Sequence, residues 1–144
     1  MRAYTFSLQM LSSIQQALQA AHCINDLHIK YADNSPERAR LIEWSKDHKT
    51  MICLNGGTYG NLLKLNDQLK ELSKELVLPY GYFCEDDESL CGLMTCCSII
   101  VPSYIYDLSA VIRSKVYGYE KALDHCSQSL KDLAILLAHT SMAR

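Results

Sequence analysis

At 144 residues the chain has room for one domain with a sizeable core and too little for two full-sized ones. Hydrophobic residues make up 49% and charged residues 21%, a globular balance that leaves no long segment too polar to fold. Fourteen Lys and Arg against 16 Asp and Glu give a net charge of −2, which argues against gripping a long nucleic acid and leaves a small anionic ligand open.

Residues 4–9 read as a strand, with Tyr4, Phe6 and Leu8 alternating against Thr5, Ser7 and Gln9. Ser12 and Ser13 are helix caps that Gln15 or Gln16 can complete as a capping box, so a helix is expected over residues 13–31. Its apolar stripe is read as Ile14, Ala17, Leu18, Ala21, Ile24 and Leu27, with Gln15, Gln19 and His22 on the polar edge. Asp33-Asn34-Ser35-Pro36-Glu37 starts a second helix expected to reach Lys46. The run TMICLN over residues 50–55 has the continuous apolarity of a central strand buried on both faces. Gly56-Gly57 breaks the chain, Thr58 can cap, and a third helix follows over residues 59–76. Residues 79–84 and 93–101 are the remaining strands, separated by the acidic turn Glu85-Asp86-Asp87-Glu88 and ended by Pro102. The order β-α-α-β-α-β-β implies an α/β fold with a four-stranded mixed sheet covered by helices, and a C-terminal helical extension.

In that extension, Ile112, Val116, Tyr119, Leu123, Cys126, Leu130, Leu133 and Leu137 follow the 4-3 rhythm of a helix packed along another helix. The partner is either the chain's own sheet or another subunit. The second is the favoured expectation, so residues 1–102 form the α/β domain and residues 103–144 an oligomerisation element, closed by cyclic or dihedral symmetry with a tetramer among the candidates.

The N-terminus lacks the apolar run and small-residue cleavage site of a secretory signal, and no segment has the roughly 18 consecutive apolar residues of a membrane span, so a cytoplasmic protein is expected. Seven cysteines without a CxxC pair read as reduced, small core residues. The histidines fall in no zinc spacing, and neither a metal nor a cofactor is expected. His22 has Gln19 beside it and is either a general base or a ligand contact. Asn55-Gly56-Gly57-Thr58-Tyr59 offers backbone N–H groups to a phosphate, or is a plain strand-to-helix turn.

Gln19-Ala20-Ala21-His22 after the first strand, Trp44 before TMICLN, and Phe83-Cys84-Glu85-Asp86-Asp87 followed by Met94-Thr95-Cys96 resemble the type II peptidyl-tRNA hydrolase superfamily over residues 4–102. In that family a Q-x-x-H segment lies on the first helix, and bacterial members carry F-x-E-P-D followed by L-T-A. The resemblance implies that fold. It also implies a lysine-rich segment ahead of the Q-x-x-H helix, yet residues 10–16 here (MLSSIQQ) contain no lysine, and Asp86 replaces the proline. Positioned cations stabilise developing negative charge, so losing them points to binding rather than chemistry. The combination resembles the viral anti-CBASS sponge proteins, which sequester cyclic dinucleotide immune signals as multimers. On that resemblance the ligand contacts are Gln15, Gln19, His22, Asn55, Tyr59, Glu85 and Thr95, and the partners are a small nucleotide and further copies of the chain. The competing expectation is an active peptidyl-tRNA hydrolase using His22 and Asp86, with Lys46 or Lys49 supplying the cation. A third is an interaction module that binds through its heptad helix.

Overall fold

The computed structural model describes residues 1–115 and 118–143. In chain order the elements are β1 (Arg2–Ser7), α1 (Ser13–Lys30), α2 (Pro36–Glu43), a π-helical turn (Trp44–His48), β2 (Met51–Asn55), α3 (Tyr59–Leu76), β3 (Tyr80–Cys84), the single-turn α4 (Asp87–Leu90), β4 (Met94–Val101), α5 (Ser103–Ser114), α6 (Tyr119–Leu123) and α7 (Gln128–His139). The strands form one mixed sheet in the order β2-β1-β4-β3, with β1 and β2 parallel and β4 antiparallel to both β1 and β3. Among the described residues no helix is long and apolar enough to cross a membrane.

Side chains alternate across a strand, so each strand divides its residues between two helical layers. Tyr4, Phe6 and Leu8 of the β1 segment join Cys97, Ile99 and Val101 of β4 against α3, α5 and α7. Ala3 and Ile100 point the other way, onto Leu27 of α1, Leu41 of α2 and Trp44. Helix starts follow capping chemistry. Ser12 accepts from Gln15 N–H while the Gln15 side chain accepts from Ser12 N–H, Ser35 caps α2 ahead of Pro36, and Thr58 caps α3.

Five expectations change. The TMICLN strand, β2, is an edge strand, and β4 is the one buried along its whole length. The outer side of β2 is met by the C-terminal tail, where Asn55 N–H donates to Ser141 O, Ala143 N–H donates to Cys53 O, and Leu54 bridges Met142. The second helix is α-helical only to Glu43 and closes as a π turn, with Trp44 O accepting from Lys49 N–H at 2.8 Å and Trp44 Nε1 donating to Thr50 O at 2.9 Å.

The buried stripe of α1 is Gln16, Gln19, Ala20, Cys23 and Leu27, while Ile14 and Leu18 are 75% and 53% exposed. The sheet surface beneath the first half of α1 is polar, made of Ser7, Thr95 and Ser98, and the helix lays its polar side there. Ser7 Oγ donates to Gln16 O, and Cys23 Sγ and Ser98 Oγ lie 3.1 Å apart.

The single heptad helix is instead three short ones. Lys115 and Gly118 have positive φ, and Ser127 caps a fresh start at α7. Val116 and the side chain of Tyr119 lie outside the described residues. Leu133 and Leu137 are fully buried with Ile105 in the same core as Tyr4 and Phe6, and Ile112 packs with Ala134 and Ala138 between α5 and α7. Arg113 ties these two helices together by donating to the Leu137 and Ala138 carbonyls at the end of α7. The heptad rhythm thus has its packing partner within the chain and supplies no argument for a second subunit. The cysteines also divide. Cys23, Cys96 and Cys97 are buried as expected, whereas Cys84 and Cys91 are exposed.

Candidate functional site

The adjacent parallel strands β1 and β2 send their following helices to opposite faces, α1 over one and α3 over the other. In an open α/β sheet such a divergence leaves a crevice at the carboxyl ends of the strands. Here the two turns are laced together, with Gly56 N–H donating to Ser7 O, Gln9 N–H to Gly57 O and Leu8 N–H to Thr95 O. The antiparallel strands bring the end of β3 and the start of β4 to the same edge of the sheet, since Ser7 pairs with Cys96 and Cys84 with Met94.

Three of the seven expected ligand contacts meet by direct hydrogen bonds. Gln19 Nε2 donates to Glu85 Oε1 at 2.5 Å, and Thr95 Oγ1 donates to Gln19 Oε1 at 2.7 Å. A β-bulge makes this possible. The register passes from Phe83–Cys96 to Cys84–Met94, leaving Thr95 unmatched, so Thr95 reaches the α1 face next to Cys96 instead of alternating away. Gln19 and Thr95 are buried, Glu85 is half-buried, and the carboxylate fixes which way the Gln19 amide points.

His22 lies one turn further along α1 and stacks on Phe83, ring centroids 4.9 Å apart. The two pairs share one geometric cause. Gln19 and His22 are i, i+3 on a helix, Glu85 and Phe83 are i, i+2 along a strand, and the helix runs antiparallel to the strand. The match continues as Leu27 against Gly81 and Lys30 against Tyr80. Gly81 is required there, because a Cβ would stand 2.7 Å from Leu27 Cδ2. Lys30 Nζ donates to Tyr80 O at 2.6 Å, and partial burial holds its pKa below the usual lysine range.

The other expected contacts are placed differently. The Gln15 side chain is engaged in the α1 capping box. Asn55 Oδ1 accepts Gly57 N–H at 2.7 Å and shapes the β2–α3 turn, with half-exposed Tyr59 following at the start of α3. This pair belongs to the same end of the sheet, but no hydrogen bond joins it to the Gln19–Glu85–Thr95 group among the described residues. Two participants were not anticipated as contacts. Phe83 could have been found from its i, i+2 spacing to Glu85. Gln16 is buried, donates to Leu11 O at 2.8 Å, and leaves Oε1 without a partner among the described residues, a feature with no signature in the sequence.

The components of the hydrolase expectation have other engagements or positions. Asp86 caps α4 by accepting Ser89 N–H at 2.6 Å. Lys46 lies within the π turn and Lys49 just after it, ahead of β2 and at the opposite end of the strand from Asn55. No Lys or Arg forms an ion pair with Glu85 among the described residues. No metal-binding cluster of His, Cys, Asp or Glu occurs among them either. Behind the site Cys23 and Cys96 share a hydrogen bond that, with burial, pushes Cys96 well above the usual thiol range, and the same bond draws Cys23 below it. The arrangement therefore uses a buried amide to fix a half-buried carboxylate that can meet a polar ligand, with an aromatic surface beside it.

Fold and site define an α/β domain with an amide–carboxylate–hydroxyl cluster at the carboxyl end of its parallel strands. No family model matches the chain, and no curated protein matches it.

Proposed function

We propose that the protein binds a small nucleotide and holds it unchanged, as a cytoplasmic sponge for a cyclic dinucleotide signal built on a type II peptidyl-tRNA hydrolase-like fold. The observation that carries this reading is the Gln19 amide held between Thr95 and Glu85 beside the His22–Phe83 stack. A hydrogen-bonding edge next to an aromatic face suits a nucleobase. The α3 N-terminus, where Gly57 N–H is already engaged by Asn55 and Gly60 has open space around its Cα, offers N–H groups to a phosphate. Against chemistry stand the placement of Lys46 and Lys49 ahead of β2, at the far end of that strand, and the engagement of Asp86 as the cap of α4.

The test is to incubate the purified chain with cyclic dinucleotides, remove free ligand, then denature the protein and assay what is released. Intact nucleotide recovered only after denaturation, and reduced by Gln19→Ala, is the expected result. Turnover of peptidyl-tRNA by the same preparation, or retention of no cyclic dinucleotide, overturns the reading.

A further inference from the structure

We propose that the protein carries a second binding site, for a phosphate group, in the cavity where the ends of α1 and α3 meet the start of β3. Because β3 is an edge strand, the helical layers of the two sheet faces come together beside Tyr80. They leave a cavity of about 230 Å³ lined by Lys30, Glu37, Lys70 and Lys74 and walled by Leu78 and Tyr80. Lys70 and Lys74 stand four residues apart and so share one side of α3. The site is separate from the Gln19 cluster, since Glu85 lies about 16 Å further along the strand direction and the α3 N-terminus about as far back along its helix.

The charge at this place is opposite to that of the chain. Acidic residues outnumber Lys and Arg by 16 to 14 overall, yet three lysines line the cavity against the one carboxylate of Glu37. Among the described residues neither Lys30 nor Lys70 forms an ion pair, and Lys74 pairs only with Glu71 of its own helix at 2.7 Å. Lysines near helix C-termini ordinarily serve the last carbonyls. Here other groups do so. Arg38 donates to His28 O near the end of α1, and Arg40 donates to Leu76 O and Val77 O after α3. Ser73 O and Lys74 O accept Leu78 N–H and Val77 N–H. Capping therefore leaves the three lysines without a task.

Lys30 is also held in place before any ligand arrives. Its Nζ donates to Tyr80 O at 2.6 Å and lies 5.2 and 4.9 Å from the Tyr31 and Tyr80 ring centroids. Desolvation, and then repulsion from Lys70, hold its pKa down, so the two ammonium groups are near enough to oppose each other. An anion between them removes that repulsion. With one N–H of Lys30 on Tyr80 O and one of Lys74 on Glu71, each of the three lysines keeps at least two donors. A phosphate dianion, with three or more terminal oxygens, matches both the charge and the number of donors. Leu78 and Tyr80 give apolar walls to a small ester substituent. The ligand class is inorganic phosphate or a small phosphomonoester.

The test titrates the full chain with inorganic phosphate, and separately with methyl phosphate, replacing chloride at constant ionic strength. Lysine Cε–H signals and backbone amides are followed by NMR. Binding should saturate with a Kd of about 1 mM or less, moving Lys30 and Lys70 together while exposed Lys64 of the same helix stays still. Tighter binding of methyl phosphate assigns the site to an ester, and equal or weaker binding assigns it to the free anion. Lys70→Gln changes an exposed side chain that the fold does not use. It should weaken binding at least about fivefold and leave Tm in chloride within about 3 °C of the parent. Shifts that rise linearly and equally at Lys64, affinity unchanged by Lys70→Gln, or movement confined to the Gly57 and Gly60 amides at the α3 N-terminus would overturn the proposal.

Discussion

Thr95→Val is the sharpest probe of the site's construction. The substitution keeps the shape of the side chain and removes one hydroxyl, the donor to Gln19 Oε1 at 2.7 Å. Gln19 is 7% exposed and its Nε2 stays committed to Glu85, so the amide cannot turn to find another donor without breaking that second bond. A buried acceptor left unpaired costs about 1–3 kcal/mol. For a chain of this length that corresponds to a fall in Tm of about 4–12 °C. Gln19→Leu should cost a similar amount, because it orphans the fully buried Thr95 hydroxyl, while Glu85 recovers part of its loss from solvent. With both partners apolar the orphan disappears, so Thr95→Val should be close to neutral when Gln19 is already Leu. Urea denaturation of the four chains measures this coupling, expected at about 1–2 kcal/mol. An equal cost for Thr95→Val in both backgrounds would mean that the hydroxyl and amide do not depend on each other, and the site's geometry as described would be wrong.

Further outcomes follow from the same packing. Leu133→Ala empties a fully buried position under the sheet and should cost about 2–5 kcal/mol; removing residues 103–144 should abolish cooperative thermal unfolding, since Ile105, Leu133 and Leu137 complete the core around Tyr4 and Phe6. Gly81→Ala should cost about 1–3 kcal/mol by driving a methyl into Leu27, and less when Leu27 is first shortened to Val, as read by denaturant midpoint. Burial, with Arg38 adding to it, holds the His28 pKa below its ordinary value, while the unfolded chain takes a proton near pH 6.5. The unfolded state then binds more protons as pH falls through that value, so stability declines on the acid side. His28→Gln should flatten the stability profile between about pH 7 and 5, and an unchanged slope counts against the assignment.

Much of the fold was legible because local chemistry and tertiary structure agree. Alternation marked Tyr4, Phe6 and Leu8, and all three are core residues of one face. Thr58 and the leucine spacing after it set α3 at Tyr59–Leu76, as expected from the sequence. Where the sequence misled, a feature had two physical uses. A 4-3 rhythm serves a helix against another subunit and a helix against its own sheet equally, and only the latter needs the breaks at Lys115 and Gly118. An apolar strand reads as central whether both its edges meet strands or one meets a tail, as β2 does with residues 141–143.

The misreading of α1 has the widest consequence. Periodicity assigns the most apolar stripe to the core, which presumes an apolar surface beneath it. Beneath the first half of α1 lie instead the Ser7 and Ser98 hydroxyls and a bulged Thr95, and that surface selects the stripe with Gln16, Gln19 and Cys23. No single segment announces this, because the serines, the threonine and the bulge come from strands about 90 residues apart in the chain. One choice of face does two things at once. It turns Gln19 inward to meet Thr95 and Glu85, creating the polar cluster, and it turns Ile14 and Leu18 outward, leaving the helix with an apolar surface that its own chain does not cover. The polar layer under α1 and the exposed apolar face over it are therefore one structural fact. A variant that made the sheet surface apolar, such as Ser7→Ala with Ser98→Val and Thr95→Val, is expected to weaken the preference for the present face, and faster or heterogeneous exchange of the α1 amides would register it.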